Sequence, residues 1–393
     1  MRLRVERLSA AVPIALLVVL ALSGSALATS WAARVSLTTS GDADAGSHSL
    51  VTLDSSNAVA IFQNGPNVWV RRTTDSGTTW KPRLRLSNNM TEPSFSAISG
   101  RGTDVDAVWS EVYPTAHTSI LEYRQSTDSG ATFAPAVPLA SGNEAHLTAP
   151  DVAHGPNGVV AVAWHDSGAN TIRVRVSTNS GISFAPAQTL ATISSSYFRP
   201  PSVAVGNGVI YVAYFSDATH VNLRRSIDNG ATWKPAKAIA SDGSMADNIY
   251  ALSVAASGSH AYVAYTAVNS TQTWIRYRRT TTKGSSWSAL MNLSTPSANE
   301  SEVPTLSLAN SVLRAAYDQC SNASCTHSAI KYQSSSNGTT WSAATTASHA
   351  GPQWATPAGI GTAGKIIVLY TADNGGNNQY LPNSDLYARA GTP

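Results

Sequence analysis

Apolar and polar residues alternate along most of the chain in short runs divided by Gly, Pro, Asn, Asp and Ser. Pro201-Ser202-Val203-Ala204-Val205-Gly206 and Gly208-Val209-Ile210-Tyr211-Val212-Ala213-Tyr214 are two such runs flanking a tight turn. This period-2 pattern predicts an antiparallel hairpin. Equivalent hairpins are expected to begin near His48, Pro93, Pro150, Ala251, Pro304 and Pro357, which makes seven. A third strand follows each hairpin. In six of these strands one position is arginine: Arg71, Arg124, Arg175, Arg224, Arg278 and Arg389.

A short polar segment after the third strand recurs six times. It reads Thr73-Thr74-Asp75-Ser76-Gly77-Thr78-Thr79-Trp80 in the first copy and Ser126-Thr127-Asp128-Ser129-Gly130-Ala131-Thr132-Phe133 in the second. Copies ending in Phe184 and Trp233 follow, then two degenerate ones, Gly284 to Trp287 and Gly338 to Trp341. The glycines lie 53, 51, 49, 54 and 54 residues apart. Asp and Ser side chains bond nearby backbone N–H groups and Gly supplies a positive φ, so the segment predicts a tight hairpin with its aromatic directed into a core. The pattern S/T-x-D-x-G-x-x-W/F resembles the Asp-box (BNR repeat) of sialidases and related β-propellers. The resemblance covers nearly all of the chain after residue 28 and implies an all-β propeller of four-stranded antiparallel blades.

Seven hairpins against six boxes fix the blade count. Asp385-Leu386-Tyr387-Ala388-Arg389 matches a third strand, after which the chain stops without a box. Arg34-Val35-Ser36-Leu37 matches the strand that elsewhere follows a box. A seven-bladed propeller whose last blade borrows its outer strand from the N-terminus accounts for both ends. It also removes an exposed sheet edge. The six-bladed arrangement familiar in sialidases is the alternative.

Residues 1–28 have a different character. Arg2, Arg4 and Arg7 precede the apolar run Ala10 to Leu22, and Ala26-Leu27-Ala28 is an A-x-A cleavage signal. This is the pattern of a secretory signal peptide, so 1–28 is expected to be removed and 29–393 to form one propeller domain. A secreted or periplasmic location follows, with no membrane span after cleavage. The chain carries 26 basic and 23 acidic residues, with only 12% charged in all. That is about half the usual share and lacks the basic footprint of a nucleic-acid binder. Cys320 and Cys325 are the only cysteines, and export predicts a disulfide between them.

In a repeat protein, a residue found in every unit is read as framework and one found in a single unit as a functional candidate. The box aspartates, the third-strand arginines and the aromatics Trp109, Trp164, Tyr214, Tyr265, Tyr317 and Tyr370 are removed by this rule. The unrepeated residues fall in the loops between blades and between second and third strands, which strand alternation places on the face opposite the boxes. Among them, Glu111, Asp166, Asp217 and Asp318 end equivalent strands or lie just beyond them. They are the candidate acids, bases or nucleophiles for glycosidase chemistry. Glu92, His165, Tyr197, Arg199, Asp247 and Trp354 are the candidate ligand-binding residues. Phe198-Arg199-Pro200-Pro201 resembles the F/Y-R-x-P motif of sialidases, which implies that Arg199 holds a sugar carboxylate. It differs from the family in standing after three boxes, and no second or third arginine of a triad is evident. His165-Asp166 is far short of a metal signature, and no metal or cofactor is expected.

Three readings follow. The first is a monomeric propeller that binds an extracellular glycan or glycoprotein through the loop face, with Tyr197 and Trp354 stacking on sugar rings. The second is a sialidase-like glycoside hydrolase acting on acidic sugars, and the third a scaffold protein.

Overall fold

The computed structural model describes residues 29–38, 48–88, 92–113, 118–143, 147–194, 200–243, 252–297, 299–322, 325, 327–348, 355–363, 365–373 and 384–392. Residues 1–28, expected from the sequence to be a signal peptide, lie outside them.

Seven antiparallel sheets follow one another along the chain. Blade 1 comprises His48–Thr52, Ala58–Asn64, Asn67–Thr73 and Leu84–Arg85. Blade 2 comprises Glu92–Arg101, Asp104–Tyr113, Thr118–Ser126 and Val137–Asn143. Blades 3 to 6 repeat the order from first strands Leu147–His154, Ser202–Gly206, Leu252–Ser257 and Ser301–Ala309. Blade 7 is built from Ala355–Ala363, Lys365–Asp373 and Ser384–Thr392. Each first strand touches the first strands of both neighbouring blades, and blade 7 returns to blade 1, so the ring closes around them. The seven-bladed expectation holds, and the six-bladed alternative is excluded.

The hydrophobic core is divided into seven clusters, one in each seam between consecutive blades. Val59, Ile61, Val105, Ala107 and Trp109 fill the seam of blades 1 and 2. Ile367, Leu369, Ala58, Ala60 and Phe62 fill the seam of blades 7 and 1. Successive residues of a strand point to opposite faces. Both faces of a blade are covered by neighbours, which is why second strands such as Val209–Phe215 are apolar throughout and buried at every position. The recurring second-strand aromatics are all buried.

The repeated hairpins hold the seams. In the first, Asp75 accepts hydrogen bonds from Thr73 Oγ1 at 2.8 Å and Thr79 N at 2.8 Å, while Gly77 N donates to Thr73 Oγ1 at 3.0 Å. The bond from the Thr79 hydroxyl is the main reason the Asp75 carboxyl is held down at about 2. Glycine is required at this turn for two reasons. Gly230 has φ 87°, and a Cβ there would come within 2.6 Å of Val176 in the preceding blade. Each hairpin aromatic then enters the seam with the preceding blade. Phe133 packs with blade 1, Phe184 with blade 2 and Trp233 with blade 3.

The third-strand arginines fasten the outer edges. Arg224 donates to Lys234 O and Trp233 O of its own hairpin, at 2.9 and 3.2 Å, and also bonds Leu190 O of blade 3 at 2.6 Å. Arg71 does the same with Lys81 O, Trp80 O and the carbonyls of Ser36 and Leu37. These guanidinium groups are structural staples.

Blade 7 is completed by the N-terminus. Val35 pairs with Ala388, and Trp31 with Gly391. Trp31 packs into the seam of blades 6 and 7, edge-on to Tyr332 with ring centroids 5.5 Å apart. Arg389 donates to Ala32 O at 2.6 Å and Trp31 O at 3.5 Å, as Arg224 does to Lys234 and Trp233. The first described residues thus supply the second half of a seventh hairpin unit. Its sequence signal is the six-residue step from the seam aromatic to a buried aliphatic. Trp31 to Leu37 repeats Trp80 to Leu86, Phe133 to Leu139 and Trp233 to Ile239.

Leu37 is 1% exposed and its N–H donates to Leu386 O at 2.8 Å. Leu37→Ala is expected to cost about 2–5 kcal/mol and to speed hydrogen exchange of the Leu386–Ala390 amides. Leu84→Ala, at an exposed position, should stay within about 0.5 kcal/mol. Equal effects of the two changes in denaturant titration would contradict the closure.

Candidate functional site

The two faces of the ring differ. The repeated hairpins of blades 1, 2, 3 and 5 bond the turn between the first and second strands of their own blade, through Ser76 N to Ser56 O (2.9 Å), Ser129 N to Thr103 O (2.9 Å), Ser180 N to Gly158 O (2.7 Å) and Lys283 N to Ser259 O (3.0 Å). Both kinds of turn therefore share one face. The loops between blades and between second and third strands lie on the other, which is called the loop face below.

At the loop-face end of each blade the second and third strands bring two positions together. One is the third-strand residue paired with the recurring aromatic. The other is the second-strand residue two places beyond that aromatic, on the same side of the sheet. In blade 3 they are Arg173, paired with Trp164, and Asp166, and they form an ion pair at 3.4 Å. Arg173 also lies over the Trp164 ring. In blade 4 they are Asn222, paired with Tyr214, and Ser216, and the amide donates to the hydroxyl at 2.7 Å. In blade 5 Arg276, paired with Tyr265, bonds Asp242 from the loop that follows blade 4. In blade 6 Lys331, paired with Tyr317, donates to Thr346 Oγ1 at 3.0 Å.

Blade 2 breaks this pattern, because its two positions are both carboxylates. Glu122 pairs with Trp109, and Glu111 stands two places beyond Trp109. The side chains face the seam with blade 1, where Trp109 packs, and are 1% (Glu111) and 7% (Glu122) exposed. Glu111 accepts Trp109 Nε1 and Tyr113 OH, each at 2.8 Å. Glu122 Oε2 is buried without a hydrogen-bond partner. Burial, followed by the charge of Glu111, pushes the Glu122 carboxyl up to about 7, against the opposing pull of Arg124. Burial and the bond to Glu111 raise the Tyr113 hydroxyl to about 12. Two carboxyls with different environments are thereby set side by side, one supplied with donors and one without.

The other sequence candidates are placed as follows. Asp166 is the partner of Arg173 and accepts Ala169 N at 3.1 Å. His165 is fully buried and points to the opposite face of that blade. Asp217 accepts Thr219 N and His220 N at 2.9 and 2.8 Å. Despite partial desolvation, these bonds and the His220 ring hold it down at about 2. Asp318 accepts Glu302 N at 3.1 Å, and burial, then the charges of Glu302 and Glu300, raise its carboxyl well above the usual range. Glu92 opens the first strand of blade 2. Tyr197, Arg199, Asp247 and Trp354 lie outside the described residues. Glu111, Asp166 and Asp318 all belong to second strands. Side chains of second strands enter the seams, and these three enter different ones. Cys320 and Cys325 are disulfide-bonded beside Glu300, so neither sulfur is available as a metal ligand.

Three polar groups were missed by subtracting the repeat. Glu122 was readable as an acid where three blades carry Arg or Lys, but it lies inside a strand rather than in a loop. Asp151 occupies a position filled by Ser202 and Ser253 in the next blades, and all three bond the inner strand of the following blade. Val203 N donates to Asp151 at 2.8 Å, Val254 N to Ser202 at 3.1 Å and Leu306 N to Ser253 at 3.0 Å. Asp106 binds His154 Nδ1 at 2.6 Å and the Tyr123 hydroxyl, joining blades 2 and 3 near the hairpin face. No local signal marks a residue as buried between two blades.

Neither a protein-family model nor a curated protein matches the sequence. Solved structures do. The chain is similar to a point mutant of the NanB sialidase of Streptococcus pneumoniae, with TM-score 0.50 and 11% identity over 90% of this chain and 70% of that one. It is similar to a protein of unknown function from Dyadobacter fermentans, with TM-score 0.50 and 15% identity over 77% of this chain and 96% of the other. The sialidase of Trypanosoma rangeli in complex with the inhibitor DANA gives TM-score 0.48 and 15% identity over 74% of this chain, which spans only 58% of that protein. At these identities the likeness establishes the class of fold, a β-propeller.

The raised Glu122 carboxyl sets a pH dependence. Below its ordinary value of 4.5 the group is protonated whether folded or not, so it costs nothing. As pH rises towards 7 the unfolded chain ionises first, and native stability falls by about 3 kcal/mol in total. Glu122→Gln removes this loss. Denaturant titrations at pH 4.5 and 8 should therefore show the variant gaining on the wild type only at the higher pH. A pH-independent difference would mean that the carboxyl is not held up.

Proposed function

We propose that this protein is an exported single-domain propeller, processed after Ala28, that recognises an extracellular glycan or glycan-bearing protein through its loop face. The observation that carries this reading is the asymmetry of the ring. The hairpin face repeats the same turns and staples from blade to blade, whereas the loop-face positions change chemistry in every blade, from Glu111 and Glu122 to Asp166 and Arg173 to Ser216 and Asn222. A rigid scaffold carrying varied polar loops is suited to recognition. Sugar hydroxyls call for several differently placed donors and acceptors, and sugar C–H faces for aromatic rings. Exposed Asp217 and His220 supply the first kind. Tyr197 and Trp354 are assigned the stacking role, Arg199 that of binding a sugar carboxylate, and Glu92, His165 and Asp247 that of orienting polar contacts. Enclosure of Glu111 and Asp318 in separate seams favours recognition over cleavage by carboxylates spanning the channel.

One observation favours the alternative, a sialidase-like glycoside hydrolase. The Glu111–Glu122 pair combines a carboxyl protonated near neutrality with one supplied with hydrogen-bond donors, the division of roles that glycoside cleavage uses.

Glycan-array binding should be lost in Arg199→Ala and Trp354→Ala and retained in Asp128→Ala, which alters only a hairpin. Binding that is absent in the wild type, or untouched by both loop changes, would defeat the recognition reading. Turnover of a fluorogenic sialoside or another glycoside by the wild type, abolished in Glu122→Gln, would put the hydrolase in its place.

A further inference from the structure

The two positions compared across blades point to a ligand for the exception. Blade 3 fills them with an acid and a base, blade 4 with a neutral donor and acceptor, and blades 5 and 6 with a partnered base, Arg276 or Lys331, beside the neutral Ala267 or Gln319. Blade 2 alone among these fills them with two acids, and Glu122 Oε2, in a side chain 93% shielded from solvent, bonds to nothing. The nearest base is Arg124, the blade's staple arginine, which donates to Leu86 O at 2.9 Å. It supplies one positive charge to two carboxylates. Arg175, its counterpart in blade 3, is present in addition to Arg173. Relative to its neighbour, blade 2 therefore lacks one cationic hydrogen-bond donor at a defined register position. Uncompensated buried carboxylates are costly.

We propose that Glu111 and Glu122 form a subsite for an ammonium group, borne by an amino sugar of the recognised glycan. The sugar part of this statement rests on the glycan-recognition reading, whereas the ammonium part rests on the register comparison. An ammonium group offers three donors and no acceptor. It fits a site with an unpartnered carboxylate oxygen and a second carboxylate whose own donors, Trp109 and Tyr113, are already in place. In the unliganded protein a proton on Glu122 takes the place of the missing cation. On binding, Glu122–COOH and R–NH₃⁺ give the ion pair Glu122–COO⁻···⁺H₃N–R, and one proton is released to water.

The test is calorimetry with a glucosamine oligomer, its fully N-acetylated counterpart and methylammonium, in two buffers of different ionisation enthalpy. The wild type should bind the amine oligomer at least tenfold more tightly than the acetylated one and release protons below pH 7. Glu122→Gln should lose that preference. Glu122→Arg, which rebuilds the blade 3 pair with Glu111, should lose it while retaining or raising the melting temperature. Equal affinity of the wild type for both oligomers overturns the ammonium subsite and leaves glycan recognition standing. Methylammonium binding with proton release, lost in Glu122→Arg but accompanied by no oligomer binding, supports the subsite while glycan recognition fails. A preference for the amine that survives in both variants assigns the ammonium group to another place and overturns the proposal.

Discussion

A ring of radial sheets has no common centre to bury, so the fold depends on contact between each sheet and the next. Here that contact is repeated in every seam. An aromatic after the outer turn enters the preceding seam, and an aliphatic six residues later enters the following one, so each seam receives the aromatic of one unit and the aliphatic of the unit before it. Six of the aromatics belong to a hairpin, and the seventh, Trp31, comes from the other end of the chain. Without it the seam of blades 6 and 7 would lack its edge-on partner for Tyr332, and blade 7 would expose an unpaired edge. Closure therefore joins the two termini of the propeller, so its strength is not local to either end.

The same repetition makes departures from it informative. A framework that uses one register in seven blades is an internal control. Arg173 and Asp166, or Asn222 and Ser216, show what the geometry demands at a position, and Glu111 with Glu122 shows where that demand goes unmet. Absolute burial would not have separated these cases, because Asp106 and Asp318 are also shielded carboxyls. Asp106 is satisfied by His154 and Tyr123, and Asp318 receives a backbone N–H.

Enclosure also constrains chemistry. Second-strand side chains leave their sheet towards neighbouring blades, so acids that look equivalent in sequence do not converge on the channel axis. They are divided among the seams. A residue that is to reach a ligand above the channel must stand in a loop, beyond the last pairing, as Asp217 and His220 do. Residues inside the strands act on a ligand only where the seam itself admits one of its groups.

The sequence by itself determined the strand pattern, the hairpin chemistry, the sevenfold count and the borrowed N-terminal strand. These are local or periodic features, written in alternation, glycine positions and spacing. It also separated the arginine staples from candidate ligand residues, because staples recur. Only the tertiary structure decided that Trp31 completes a seventh unit, that Asp151 joins the inner strands, and that Glu111 meets Glu122. These depend on which faces two strands share and which blade closes over them. Two carboxyls eleven residues apart become neighbours through strand pairing, and their burial comes from a sheet elsewhere in the chain. No local pattern records either condition.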